Sequence, residues 1–294
     1  MNIGIILGII TYLMWGILPI YWKLLKHVPA DQILSHRIIW SFAIVSMVLL
    51  FRRQGKTFWN KVSNRKVLGI FLLAAALIGT NWMIYIWAVN AGFIVESSLG
   101  YFINPLVNVL LGVIFLKETL RPLQWVPIGL AAIGVIYLTI SYGSLPWISL
   151  ALAFSFGCYG LLKKTTSLLP FEGLTMETGI LFLPALAWLL LANHNQTGVF
   201  LHTNLETNLL LMGAGIATVV PLLTFAAALK HIPLSLIGIL QYIAPTLQFL
   251  LGVLVYGEPF TSTQLVGFSI IWAALILFST ESWMHARKRL VISP

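Results

Sequence analysis

YFINPLVNVLLGVIFLKE, residues 101–118, is repeated later in the chain as QYIAPTLQFLLGVLVYGE, residues 241–258. Both stretches are apolar and long enough for a membrane-spanning helix. Each has a proline near the middle, the block LLGV after it and a glutamate at the end. A shift of 140 positions superposes Pro105 on Pro245 and aligns the rest without a gap. Self-similarity at a fixed distance indicates an internal repeat, so we expect two structural copies.

Each proline should interrupt the hydrogen bonding of its helix. Proline lacks an N–H and its ring crowds the carbonyl four residues earlier, so the carbonyls of Tyr101 and Gln241 should lose their usual donors. Inside a bilayer, such a carbonyl needs another partner or a polar cavity. Interrupted helices in corresponding positions of two halves indicate a transporter site near the membrane midplane. The alternative is a pair of tolerated kinks, because proline is frequent in membrane helices.

The composition is that of a membrane protein. Hydrophobic residues make up 59% of the 294 residues and charged residues only 9%, against roughly a quarter charged in soluble domains. A helix that spans the hydrocarbon core needs about 20 apolar residues. We therefore expect an all-α polytopic protein in the lipid bilayer, with ten transmembrane helices near 3–22, 33–51, 67–89, 93–116, 122–141, 146–162, 173–192, 207–229, 233–256 and 262–283.

The net charge of +9 indicates membrane orientation rather than a nucleic-acid partner. The basic residues lie between apolar runs and not on one soluble face. Most of the 17 Lys and Arg residues fall on the side of the N-terminus, as in segments 52–66 and 287–289. We name this side one and the opposite side two, and we expect both termini in the cytoplasm by the positive-inside rule. The one cysteine, Cys158, excludes an internal disulfide.

The first two helices of each half also match, at a shift of 141 positions. The pair WG at 15–16 then corresponds to the pair FG at 156–157. We place the first repeat in residues 1–143 and the second in residues 144–294. Each repeat would hold five spans, and since five is odd, the two halves must insert with opposite orientations, as an inverted repeat.

A buried charge is expected in the second helix. Arg37 lies six residues past Asp31, about 9 Å deeper at the helical rise. An arginine at the membrane centre costs roughly 2.5–3.5 kcal/mol on insertion scales, so a partner or a wet cavity is expected. Glu96 enters from the same side, and with His36 and Arg37 it could form a polar cluster that binds a carboxylate or relays protons. The alternative is that Arg37 extends to the headgroups or only braces two helices.

Aromatic and amide side chains are expected to line a central binding site. Trp82 and Tyr85 lie on the third predicted helix, and Tyr101 and Asn104 share one face of the fourth, close to the released carbonyl. Flat rings suit the apolar parts of a substrate, and amides orient it. Packing without binding is the alternative for each ring. The candidate substrate-binding residues are Trp15, Arg37, Trp82, Tyr85, Tyr101, Asn104 and Gln241.

Three glutamates need an explanation. Glu118 and Glu258 end their helices, where the helix dipole disfavours a carboxylate. We expect each to accept hydrogen bonds from the N-terminus of the next helix, with a coupling or gating role as the alternative. Glu177, in the seventh helix, corresponds to His36 in the repeat. It is a candidate proton site, or it is satisfied by hydrogen bonds to neighbouring threonines.

The sequence gives less support to an enzyme, a metal-binding protein or a receptor. The sequence contains no H-E-x-x-H, G-x-S-x-G or P-loop motif and no paired carboxylates at catalytic spacing, so we expect no enzyme activity and no cofactor. His194 and His202 share one loop without further ligands, and we expect no metal site. A receptor or scaffold would need a larger surface outside the membrane than these short connections offer.

The motifs IITYLMWGILPIYWK, QILSHRIIWS and GYFINPLVNVLLGVIFLKE resemble the RarD branch, the chloramphenicol-sensitive proteins, of the drug/metabolite transporter superfamily. Two five-helix copies whose fourth helices end in P-x12-E resemble the EamA repeat of that superfamily. The likeness covers essentially the whole chain.

The resemblance implies a multi-pass permease of the bacterial inner membrane that exports small amphipathic metabolites, such as amino acids or drugs. We expect alternating access around a midplane cavity built by both halves, with protons as a candidate coupling ion through His36, Glu96 and Glu177. Asn104 is replaced by Ala244 in the second copy, so the site should be asymmetric. An uptake facilitator and a receptor that does not transport are the alternatives.

Overall fold

The computed structural model describes residues 2–52, 55–90, 94–142, 147–166, 168–255 and 261–292. Within these ranges the chain is built of helices joined by short links. The helices are α1 (Ile3–Leu24), α2 (Ala30–Phe51), α3 (Gly55–Val62), α4 (Arg65–Asn90), α5 (Ile94–Leu116), α6 (Trp125–Tyr142), α7 (Trp147–Thr165), α8 (Pro170–His194), α9 (Leu205–His231), α10 (Leu234–Gln241), α11 (Ile243–Leu250) and α12 (Ser262–Ile292).

Local chemistry explains where several helices begin. The side chain of Asn2 accepts a hydrogen bond from the backbone N–H of Gly4 and caps α1, and Asn204 caps α9 in the same way. Pro170 is the first residue of α8, a position where the missing N–H costs nothing. Because helix N-termini leave N–H groups without helical partners, these caps satisfy groups that the bilayer would penalise.

Seven helical segments of the described chain are long and apolar enough to cross a membrane. Large apolar side chains point outward from them, and Phe51, Leu183 and Ile140 are each at least 70% exposed. Exposed apolar surface of this kind fits contact with lipid rather than with water. The predicted total of ten spans stays a prediction. The seven segments are Ile3–Leu24, Ala30–Phe51, Arg65–Ala88, Pro122–Ser141, Pro170–His194, Leu205–His231 and Leu234–Val255.

The two proline stretches adopt different conformations. Helix α5 runs through Pro105 without interruption. In the second copy, α10 ends at Gln241, and α11 begins at Ile243 and contains Pro245. Pro245 has no N–H to offer the Gln241 carbonyl. Pro105 leaves the Tyr101 carbonyl without a donor in the same way, so the proline alone does not account for the break in the second copy. The two copies also touch, since a Cβ built on Gly238 would lie 2.7 Å from the backbone oxygen of Pro105.

Contacts between links and helix ends define the two sides of the bundle. On side one, Lys61 Nζ lies 2.7 Å from Glu172 Oε1, which joins α3 to the start of α8. On side two, the Trp188 indole N–H donates to Asp31 Oδ2 over 2.6 Å. There Gln32 Nε2 also donates to the Thr197 carbonyl over 2.7 Å. Both sides therefore carry contacts between the first and second halves of the chain.

Equivalent glycines of the two halves make equivalent close contacts. A Cβ built on Gly16 of α1 would lie 2.7 Å from Leu247 of α11. A Cβ built on Gly157 of α7 would likewise lie 2.7 Å from Val107 of α5. These glycines correspond at the shift of 141 positions, and their partners correspond at the shift of 140. Small residues at both crossings let the helix backbones approach closely.

Glu118 caps a helix of the opposite half. Its carboxylate accepts hydrogen bonds from the backbone N–H groups of Leu234 and Ser235 at 2.6 and 3.0 Å, and from the Ser235 hydroxyl at 2.7 Å. Glu118 was expected to accept hydrogen bonds from the N-terminus of the helix that follows it in sequence, and that expectation is wrong. At that N-terminus the Gln124 side chain accepts the hydrogen bond from the Arg121 N–H. The corresponding Glu258 lies outside the described residues.

The turn that delivers Glu118 explains the glycine of the LLGV block. Lys117 has a positive φ of 53°, and the backbone N–H of Glu118 donates to the carbonyl of Gly112 over 3.0 Å. The carboxylate thus folds back beside the helix. A Cβ built on Gly112 would lie 2.6 Å from Glu118 Oε2, so a side chain there would displace the cap.

Replacing Gly112 with alanine should destabilise the protein. The added methyl group would push the Glu118 carboxylate away from the start of α10, and hydrogen bonds to charged groups contribute roughly 1.5–3 kcal/mol. We expect a lower midpoint of thermal unfolding in detergent. Gly129→Ala is the control, because a Cβ there would meet nothing within 4 Å. Equal midpoints for the two variants would contradict the role of Gly112.

Candidate functional site

A cavity lies between the middle of the bundle and side two. Its cavity volume is about 90 Å³, counted as the space open to the centre of a water molecule. Helices α1, α2, α4, α5, α7, α9, α10 and α11 all contribute to its wall. The predicted substrate-binding residues that line it are Trp15, Arg37, Trp82, Tyr85, Tyr101 and Gln241.

Several lining residues were not predicted. Pro245, named only as a repeat landmark, lies in the wall. Trp22 and Asn81 also line the cavity, and a helical-face analysis of α4 could have found Asn81. Phe156 was identified only as the repeat counterpart of Trp15, and Thr218 carried no signal of its own. The other lining residues are Tyr12, Leu18, Pro19, Leu222, Ala244 and Gln248.

Arg37 is the charged group of the cavity wall. It is buried, with 9% of its surface exposed, and its guanidinium carbon lies 4.8 Å from the ring centroids of both Trp22 and Trp82. Its Nε–H donates to the hydroxyl of Thr218 over 3.0 Å. The side chain does not extend to the headgroups, because the aromatic rings hold it inside the bundle. The predicted partner, Glu96, has a side chain outside the described part of the structure.

A chain of amides runs beneath the cavity wall. Asn104 Nδ2 donates to the carbonyl of Ala153 over 2.7 Å. Asn108 Nδ2 donates to Asn104 Oδ1 over 3.0 Å and to Gln241 Oε1 over 2.9 Å. The chain links α7, α5 and α10, and it orients the Gln241 amide. Asn104 itself, predicted as a substrate ligand, is buried behind the wall and not part of the cavity lining.

His36 is directed away from the cavity. Successive residues of a helix point about 100° apart, so Arg37 and its neighbour face different surroundings. The imidazole packs 4.8 Å from the Phe200 ring in the link between α8 and α9. Neither ring nitrogen has a hydrogen-bond partner among the described residues. The structure therefore does not bring His36 and Arg37 into one polar cluster.

An aromatic cluster separates the cavity from side one. Trp15 contacts Phe156 and Phe225, with ring centroids 5.6 and 5.5 Å apart. Tyr159 stacks on Phe225 at 6.4 Å. Trp15 and Phe156 are equivalent in the repeat, and they meet between the two halves.

A buried ion pair lies beyond this cluster toward side one. Lys163 Nζ donates to Glu177 Oε1 over 2.8 Å, and the Tyr159 hydroxyl donates to Glu177 Oε2 over 3.0 Å. Hydrogen bonds from neighbouring threonines were one of the two alternatives for this carboxylate, and the structure does not show them. The hydroxyls of Thr175 and Thr178 donate to carbonyls of their own helix instead.

Two more lysines close the same side by capping helix ends. Lys164 Nζ donates to the carbonyls of Leu229 and Ile232, at 2.8 and 2.6 Å. Lys230 Nζ donates to the carbonyl of Thr166. Cations stabilise the negative ends of helix dipoles. The C-terminal ends of α7 and α9 are therefore each stabilised by a lysine of the other helix. Side one is thus closed by rings, ion pairs and caps, and the cavity extends toward side two.

The sequence matches one protein family twice. Residues 2–140 and 145–280 each match the EamA-like transporter family. The two matches together cover nearly the whole chain.

Bacterial proteins are similar to this chain over almost their full length. The "Uncharacterized transporter YojE" of Bacillus subtilis is 51% identical, with 97% of each chain covered. "Protein RarD" of Escherichia coli is 44% identical over 97% of this chain and 96% of its own. "Chloramphenicol-sensitive protein RarD" of Pseudomonas aeruginosa is 32% identical over similar shares. The resemblance to RarD proteins is therefore confirmed.

A solved crystal structure shares the fold. It superposes with a TM-score of 0.70 over 94% of this chain and 97% of its own, at 17% sequence identity. At that identity the likeness concerns the arrangement of helices.

Removing one partner of the buried Lys163–Glu177 ion pair should destabilise the protein strongly. Lys163→Met leaves the Glu177 carboxylate buried without its cation, an effect of about 3–5 kcal/mol in buried pairs. The double variant Lys163→Met/Glu177→Met should recover much of the loss, because no charge stays buried. Thermal unfolding in detergent measures both.

Lys61→Met is the matched control for this experiment. Lys61 has 40% of its side chain exposed, and Glu172 keeps the hydrogen bond from the Leu169 backbone N–H over 2.9 Å. Glu172 itself is only 2% exposed, so the expected loss lies between the ~1 kcal/mol of exposed pairs and the roughly 3–5 kcal/mol of fully buried ones. A double variant as unstable as Lys163→Met would show that Glu177 does not depend on this pairing.

Proposed function

This chain belongs to the EamA-like transporter family, and from that premise we propose that it exports small amphipathic metabolites, such as amino acids or drugs, across the bacterial inner membrane. The protein is a multi-pass membrane transporter. The proposal adds the direction, the substrate class and the mechanism, which is alternating access around the cavity between the middle of the bundle and side two.

One observation carries the mechanism. The residues that line the cavity lie from the middle of their helices toward side two, whereas the aromatic cluster and the Lys163–Glu177 pair lie between the cavity and side one. A carrier needs a central site that is open to one side at a time. The arrangement supports a carrier held with its side-two entrance open.

The paired contacts support an architecture of ten spans in two inverted repeats, residues 1–143 and 144–294. The family matches the chain twice, with nearly these boundaries. The equivalent glycines Gly16 and Gly157 pack on equivalent partners. The equivalent rings of Trp15 and Phe156 touch each other, as residues near a two-fold axis must.

Side one is the cytoplasmic side in this proposal. The positive-inside rule places basic links in the cytoplasm, and the capping residues Lys164 and Lys230 lie there, as does the ion-paired Lys163. The cavity then faces the outside, which is the state from which an exporter releases its substrate. Protons are a candidate coupling ion, although the pairing of Glu177 with Lys163 favours a bracing role for this carboxylate over proton transfer.

The contact between Lys61 and Glu172 is suited to break during transport. It joins the first half to the second on side one, where the halves must separate to open the cavity. Lys61 can return to water because it is partly exposed. Glu172 keeps its bond to the Leu169 N–H, so its carboxylate does not lose every partner on opening.

Transport itself is tested by counterflow in proteoliposomes. Panels of amino acids, aromatic metabolites and amphenicols are offered with and without an imposed pH gradient. Uptake of labelled substrate above protein-free liposomes is the expected result. Acceleration by the gradient would identify proton coupling, and indifference to it would indicate a facilitator. A flat result for every compound would contradict the proposal and favour a receptor.

Locking side one should stop transport reversibly. In a Cys158→Ala background, cysteines replace Lys61 and Glu172, and a bifunctional methanethiosulfonate reagent joins them. Because opening needs these positions to separate, counterflow should fall to background and return after reduction with dithiothreitol. The two single-cysteine variants are the controls for modification without cross-linking. Full activity of the cross-linked protein would exclude an opening at this point.

A further inference from the structure

Arg37 has no acidic partner among the described side chains. The ion pairs there join Lys61 to Glu172, Arg121 to Glu281 and Lys163 to Glu177. The hydrogen bond that Arg37 makes within this part of the protein uses Nε alone, although a guanidinium carries five donors. A buried charge with this many donors to spare is unfavourable unless something else pairs with it.

The two tryptophans hold this guanidinium without neutralising it. Trp22 and Trp82 lie at 4.8 Å from its carbon atom, and both rings line the cavity. Cation–π contact on two rings stabilises a cation and restricts its motion. It leaves the N–H groups at the edge of the guanidinium plane available. Such a restrained planar fork matches the two oxygens of a carboxylate.

Thr218 also fixes the position of the Arg37 guanidinium. Its hydroxyl accepts from Arg37 Nε and donates to the carbonyl of Ala214 over 2.8 Å. Because the hydroxyl hydrogen is used in the bond to Ala214, the Thr218 oxygen acts toward Arg37 as an acceptor. Arg37 thus reaches the cavity already oriented, which lowers the entropy cost of binding an anion.

The remaining wall defines the other parts of a ligand. Among the described lining residues there is no acid to receive an ammonium group. Trp15 and Phe156 offer an aromatic surface, while Asn81 and Gln241 offer amides. Asn81 Nδ2 already donates to the Leu152 carbonyl and the Ser155 hydroxyl. The wall therefore has one cation, the hydroxyls of Tyr12, Tyr85 and Tyr101, a few amides, and a large apolar area.

We propose that the cavity binds small monocarboxylates with an aromatic or other apolar body, and that the carboxylate pairs with Arg37 between Trp22 and Trp82. The inference rests on the proposed transport function for its physiological meaning, but the binding site stands on its own contacts. Arg37 is a substrate-binding residue in this scheme. The apolar body lies toward Trp15 and Phe156, over the aromatic cluster that closes side one.

Matched acid and amide pairs test the charge requirement. Phenylacetate is compared with phenylacetamide, and 3-phenylpropionate with 3-phenylpropionamide, by isothermal titration calorimetry on the detergent-solubilised protein at neutral pH. Each pair has the same shape and differs in charge. The acids should bind about tenfold more tightly than the amides, or better, since charge-assisted bidentate bonds are lost in the amide.

Variants of Arg37 show whether this residue is the source of the preference. Arg37→Gln should remove the difference between acid and amide, and Arg37→Lys should keep part of it as a point charge without the fork. Arg52→Gln is the control, because Arg52 is an exposed arginine at the opposite end of the same helix, over Phe171. The wild-type comparison stays decisive even if Arg37→Gln does not fold.

The outcomes separate this inference from the transport proposal. Amides that bind as tightly as acids, acids that do not bind, or an acid preference that survives in Arg37→Gln would each overturn the carboxylate site. Counterflow of neutral compounds in that case would leave the transport proposal standing. Conversely, acid-selective binding with no counterflow of any compound would support the site and contradict transport.

Discussion

The constraint on which this structure depends is that hydrocarbon cannot satisfy a polar group. Helix ends and charges must therefore find partners within the protein, and these partners connect the halves. Glu118 provides the clearest case, since one carboxylate satisfies the first N–H groups of α10 across the repeat boundary. Gly112 leaves room for it. In the first copy, the glutamate of the P-x12-E motif thus joins two helices of different halves.

The two sides of the bundle differ in how they meet this constraint. On side one the polar groups are paired: Lys163 with Glu177, Lys164 and Lys230 with helix carbonyls. Toward side two a cavity is lined by Arg37, whose charge has aromatic neighbours and a hydroxyl but no acid among the described residues. This distribution of charge partners agrees with the proposal that a substrate binds toward side two.

Asymmetry between the halves has a physical origin in two residues. The first copy has Asn104, which bonds α7 through the Ala153 carbonyl, where the second copy has Ala244. The second copy breaks before Pro245, whereas α5 continues through Pro105. Gln241 ends its helix at this break, and Asn108 orients its amide in the cavity wall. The two copies of the repeat thus differ at particular positions, and these differences make the site asymmetric.

The sequence by itself determined the membrane class, the repeat and the family, because these follow from apolar run length and from motifs read along the chain. It did not predict α3 or the division of the ninth predicted helix into α10 and α11. It also identified Arg37, Trp82, Tyr85, Tyr101 and Gln241 as residues of interest. Only the tertiary structure decided their partners. The separation of His36 from Arg37, the pairing of Glu177 with Lys163 and the cap that Glu118 makes on α10 all depend on which helices become neighbours, and such distances are not encoded in sequence spacing.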